Sequence, residues 1–124
     1  MKLRSGEFDK AVRNAISRIP PEFRDHLENI VISVQDRPSK DLLEETGLPP
    51  DNSLLGIYRG DSLMNRSVTI PPLFPDTIFI FQEPLEAMCA DLDELEEQIA
   101  ITVIHEIAHY LGMDEDQLRE LGYE

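Results

Sequence analysis

Apolar residues recur at helical spacing near the start of the chain. Phe8, Ala11, Val12, Ala15, Ile16 and Ile19 fall close to one face of a helix predicted from about Glu7 to Arg18. Pro20-Pro21 ends that helix, and Pro21 or Glu22 opens a short second one through Leu27. Ile30-Val31-Ile32-Ser33-Val34 is apolar and β-branched, and reads as a buried strand. Ser39 is placed to cap a short helix through Glu45, closed by Gly47. Leu54–Arg59 reads as a second strand ending at Gly60. Residues 61–76, with Pro71, Pro72 and Pro75, read as a loop. Thr77-Ile78-Phe79-Ile80-Phe81 is the third and most apolar strand, and Pro84 marks a break after it.

A long helix is predicted over roughly residues 92–111. Asp91 and Glu94 make a capping-box-like start, with acids in the first turn where the helix dipole favours them. From Ile99 to Leu111 the apolar run is broken only by Thr102, His105, Glu106, His109 and Tyr110. A helix apolar nearly all round belongs in the centre of a domain. Its three titratable groups then demand an explanation, because unpaired buried polar groups are costly. Gly112 follows as the residue that lets the chain reverse in a left-handed conformation, and Asp116–Leu121 can form a last turn or two.

The 124 residues suit one compact domain, 1–124. A formal net charge of -14 repels nucleic-acid phosphates and anionic membrane surfaces, so neither is an expected partner. The plain reading of the acidity is solubility. A single cysteine, Cys89, makes no internal disulfide and reads as a small buried hydrophobe rather than a ligand switch. Neither a signal-peptide pattern at Met1–Glu7 nor a membrane-length apolar run is seen, so the expected location is the cytoplasm, and the expected state a monomer.

The spacing within the long helix carries chemistry. His105 and His109 are i and i+4, stacked on one helical face, and can point two imidazoles at one metal ion. Glu106 lies beside them, where it can take a proton from a metal-activated water. The plainer alternative makes both histidines hydrogen-bonded core residues, with Glu106 paired to one of them. A catalytic zinc takes three protein ligands and keeps a position open. Glu115, just past the turn at Gly112, is the favoured third ligand; Asp114 and Asp116 compete for the role or simply cap the last helix.

His105-Glu106-x-x-His109-x-x-Gly112-x-x-Glu115 resembles the extended zincin motif, and the chain resembles the small bacterial zincin-like metallopeptidases. The resemblance extends to Ile19-Pro20 before Glu22-Phe23, to Ile30–Val34, to Gly56-Ile57-Tyr58-Arg59-Gly60, to Ile78–Phe81 before Pro84, and to Leu118–Tyr123. It implies His105, His109 and an acidic residue at 115 as zinc ligands, with Glu106 as general base. Similar proteins often have Asp where this chain has Glu115. The implied fold is α+β and pared down: a small mixed sheet of three to four strands packed on the active-site helix and the N-terminal helix. Little chain follows Glu115, so no methionine-containing turn is expected, the lower subdomain is almost absent, and the cleft is open and shallow.

The implied activity is zinc-dependent peptide hydrolysis. A peptide substrate is expected to lie as an added strand along Leu54–Arg59, contacting Gly56, Ile57 and Tyr58. Gly56 and Gly60 either admit a peptide backbone or simply mark a bulge and a turn. Tyr58, Tyr110, Tyr123 and His26 are the available candidates for a second oxyanion donor, each also readable as an ordinary aromatic or surface residue. The alternatives are a zinc-binding interaction module with little or no proteolysis, and a protein that no longer binds metal. Glu106 favours the enzyme, because a purely structural zinc needs a fourth ligand and no base.

Overall fold

A computed structural model describes residues 2–47, 54–60 and 76–120, apart from the side chains of Thr46 and Glu115. The elements are α1 (Ser5–Ser17), α2 (Pro21–Arg24) running into a 3-10 turn (Asp25–Asn29), β1 (Ile30–Gln35) and α3 (Lys40–Thr46). They continue with β2 (Gly56–Arg59), β3 (Asp76–Phe81), α4 (Gln82–Met88), α5 (Leu92–Tyr110) and α6 (Glu115–Glu120). The fold is thus α+β, with six helices and a three-stranded mixed sheet among the described residues.

The strand order is β1-β3-β2, with β1 parallel and β2 antiparallel to the central β3. Side chains alternate across a strand, so the register sorts them into two faces. Ile30, Ile32 and Val34 line up with Asp76, Ile78 and Ile80, and these with Tyr58 and Gly56. This even-numbered face packs on α5. Ile78, Ile80, Leu95, Ile99, Val103, Ile104 and Ile107 form the core there, joined by Phe8, Ala11, Val12 and Ala15 from the apolar stripe of α1. The odd-numbered face carries Val31, Ser33, Ile57, Phe79 and Arg59.

The sequence is more optimistic about β1 than the structure. None of its six residues is fully buried, and Val31 is 46% exposed. An edge strand with one face on the core is only half covered, whatever its β-branched content. The expected start of β2 also moves, from Leu54 to Gly56, although the Leu55 carbonyl still accepts from Phe81 N–H at 3.0 Å. Pro84 does not break the chain after β3. It sits third in α4, in the first turn, where its missing N–H has no helical partner to lose. Of the expected loop 61–76, residues 61–75 lie outside the described residues, and Asp76 opens β3.

The ends of the helices follow their capping residues. Ser39 accepts from Leu42 N–H at 3.1 Å, and Gly47 closes α3 with φ 73°. Asp91 accepts from Glu94 N–H at 2.8 Å and opens α5, while Glu94 reaches back to Ala90 N–H at 3.4 Å. At the other end Gly112 has φ 78°, its N–H donating to the His109 carbonyl at 3.1 Å and that of Met113 to Ala108 at 2.9 Å. This pair of bonds is a Schellman closure, which glycine reaches without a Cβ penalty.

Where β2 crosses α5 the two backbones come close. A Cβ on Gly56 would lie 2.7 Å from the Thr102 methyl and 2.9 Å from the Phe79 carbonyl oxygen. Gly56→Ala is therefore expected to cost about 1–3 kcal/mol of stability, since the backbone carbonyl has no side-chain freedom with which to yield. Urea unfolding of the two proteins measures it.

Candidate active site

α5 presents His105, Glu106 and His109 where the helix leaves the core and meets β2. The immediate neighbours Ile104, Ile107 and Ala108 are buried, which fixes the rotation of the helix. His105 Nε2 is buried and has no hydrogen-bond partner among the described residues. A core histidine would have its nitrogens satisfied, so this atom argues against the plain structural reading and fits a metal ligand. His109 is 54% exposed at its side chain, with Nδ1 3.8 Å from Glu106 Oε2.

Glu106 is held from the sheet. Its side chain is only 16% exposed, and Oε2 accepts the main-chain N–H of Tyr58 at 3.0 Å. Burial pushes its carboxyl pKa above the usual carboxylate range; His109, the Tyr58 N–H and His105 oppose the shift without cancelling it. A carboxylate whose basicity is raised in this way is a better proton acceptor than an exposed one.

Tyr58 N–H points away from β3, so by antiparallel alternation the main-chain groups of Gly56 share that direction. There a groove of about 310 Å³ runs between Leu54, Leu55 and Gly56 on one side and Gln98, Ile101 and Thr102 on the other, ending at His105 and Glu106. Gly56 and Tyr58 are thus brought to the site. Ile57 is not: its side chain is on the odd face and lines a separate cavity with Phe79, Phe81 and Leu42. The two glycines answer internal crowding, Gly56 against Thr102 and Gly60 against the carboxylate of Asp76.

Several other candidates are committed elsewhere. The Tyr58 hydroxyl donates to Asp76 Oδ2 at 2.6 Å, and its ring stacks on Tyr110 with centroids 5.1 Å apart. His26 lies exposed in the 3-10 turn, and Tyr123 lies outside the described residues. Asp114 accepts Gln117 N–H at 2.8 Å, while Gln117 Oε1 accepts Asp114 N–H at 2.9 Å, a reciprocal cap for α6. Asp116, 85% exposed, lies 3.4 Å from Arg119. Glu115 opens α6, but its side chain lies outside the described residues, and among those described no group of three metal-ligating side chains forms. Cys89 is buried at the end of α4, and burial raises its thiol pKa.

Two contributions escaped the sequence reading. Gln98 and Ile101 precede His105 by seven and four residues, a helical spacing that puts them on its face. Asp76, an acid opening an otherwise apolar strand, becomes legible only once the register sets it diagonal to Tyr58.

A family model described as zincin-like metallopeptidase matches residues 27–123. No curated protein matches the sequence.

The raised Glu106 pKa has a consequence for stability. The folded protein binds this proton more tightly than the unfolded chain, so the penalty is absent at low pH and grows as pH rises through the folded pKa. In metal-free protein Glu106→Gln, which keeps an acceptor for Tyr58 N–H, is expected to melt above wild type at pH 8. The gap should close towards pH 4, as followed by thermal unfolding across pH.

Proposed function

The chain belongs to the zincin-like metallopeptidase family, and on that footing we propose that it is a zinc-dependent peptidase that uses Glu106 as general base. The observation that carries the reading is a buried histidine nitrogen with no partner among the described residues, one residue from a largely buried carboxylate, at the end of an open groove. A zinc ion held here would supply a Lewis acid, lowering the pKa of a water towards about 7 and polarising the scissile carbonyl. His105 and His109 would hold it from successive turns of α5.

Glu115 is proposed as the third ligand. Asp114 is engaged in capping α6 and Asp116 is exposed beside Arg119, whereas Glu115 stands at the position where the zincin-like motif carries its acidic ligand. The Schellman closure at Gly112 sends the chain back after α5, the reversal such a ligand needs.

Glu106 would take the proton of the attacking water and pass it to the leaving amine. Its bond from Tyr58 N–H occupies Oε2 and leaves Oε1 for that exchange. The substrate would be an extended peptide lying in the groove between Leu54–Gly56 and α5, with the outward main-chain groups of Gly56 as pairing partners. Gly56 and Tyr58 act here through backbone.

Three measurements test this. Zinc titration by calorimetry should give one site in wild type and none in His105→Ala or His109→Ala. Glu115→Ala should weaken zinc by about 10–100-fold, the scale on which a site's partners are felt, while Asp116→Asn leaves it unchanged. Glu106→Gln should keep zinc and lose at least about 100-fold in peptide cleavage. A Glu106→Gln protein that binds zinc and cleaves as fast as wild type would rule out Glu106 as the base.

A further inference from the structure

We propose that Tyr58 is a positioning residue for Glu106: its side chain, clamped by Asp76 and Tyr110, fixes the main-chain N–H that orients the carboxylate. This rests on the reading of Glu106 as the base and adds what holds the base in place.

Three contacts among the described residues hold Tyr58 here. Its main-chain N–H donates to Glu106 Oε2 at 3.0 Å, its hydroxyl donates to Asp76 Oδ2 at 2.6 Å, and its ring stacks on Tyr110 at 5.1 Å and 22°. These contacts join three elements. Asp76 opens β3, Tyr110 ends α5 next to His109, and Tyr58 lies between them on β2. The register sets Tyr58 opposite Ile78, so Asp76 is its diagonal neighbour on the same face, a separation that a tyrosine spans.

The clamp is built tightly. Asp76 is 7% exposed, and a Cβ on Gly60 would collide with its carboxylate. The acceptor of the Tyr58 hydroxyl is thereby packed against a residue that has no side chain. A buried carboxylate on a short hydroxyl bond is a strong, directional anchor.

The amide needs such an anchor because of where it points. The sheet ladder holds β2 from the β3 side, whereas Tyr58 N–H faces α5. Its position relative to the helix therefore depends on the side chain that bridges strand and helix. Neither the Tyr58 ring nor Asp76 lines the groove, so loosening the clamp should disturb the base and spare substrate binding.

The test combines amide hydrogen exchange with steady-state kinetics on the zinc-loaded protein and a cleaved peptide. Tyr58→Phe keeps the ring and the backbone but removes the hydroxyl. Exchange at the residue-58 amide is expected to quicken about tenfold while β1 and β3 keep their protection, and kcat to fall about tenfold with KM within twofold, on the order of what a small misplacement costs. Asp76→Asn, which still offers an acceptor, should keep both values near wild type; Asp76→Ala should match Tyr58→Phe, and the Tyr58→Phe, Asp76→Ala double variant should be no worse than either single one. Wild-type exchange at residue 58 in Tyr58→Phe, an unchanged kcat, a loss in KM alone, or a loss of protection spread evenly over the sheet would each overturn the proposal. Wild-type protein that binds zinc but cleaves no peptide would overturn the peptidase reading instead, and the exchange measurement would still decide whether the clamp holds Glu106.

Discussion

A buried carboxylate on a helix surrounded by aliphatic side chains must find a donor. Glu106 solves the problem by reaching the main-chain N–H of an edge strand. That single bond places demands on its surroundings. The strand has to run close beside α5, which needs glycine at 56; its hydroxyl-bearing side chain needs a partner, which Asp76 provides; and α5 must stay at one rotation, which Ile104, Ile107 and Ala108 enforce from the opposite side. Leaving such a group unpaired costs more than the bond itself contributes, so the arrangement behaves as a unit.

The sheet divides the protein's work. Its even face closes the core and delivers Gly56, Tyr58 and Asp76 to α5, while its odd face carries Ile57, Arg59 and Phe79 to a different cavity beneath α3. There Arg59 and Glu45 make a two-point pair at 2.8 and 2.6 Å, which draws each further towards its charged form. Both groups are largely solvated, so the pair organises the surface more than it stabilises the fold.

The fold and site were readable in the sequence to different depths. Helix α5, its Asp91 cap, its apolar surround and its Gly112 stop are local features, written in consecutive residues, and the structure reproduces them. The spacing of His105, Glu106 and His109 is local in the same sense. What the sequence misplaced depends on tertiary context. Pro84 reads as a break yet lies within the first turn of α4, because the same ring that disrupts a helix interior is harmless there. β1 reads as buried and is half exposed, because burial depends on which strand ends up at the edge. Ile57 and Tyr58 are neighbours in sequence, and only the pairing register decides which of them meets Glu106. Asp76 carries no motif at all; its role exists only across the β2–β3 pair.

The reversal after α5 sets a limit of another kind, on insertions and deletions. The Schellman closure uses residues through Met113, and the reciprocal cap of α6 begins at Asp114. Two fixed-length motifs therefore abut without a spare residue between them. Leu118, fully buried, anchors the far side of this junction in the core. Removing one residue would require a single position to serve both motifs, and adding one within α6 ahead of Leu118 would turn that side chain by about 100° around the helix axis and out of the core. A change of length cannot be absorbed here. The stretch from Leu111 to Leu118 is thus a ruler, and variation in loop length among related chains should fall elsewhere.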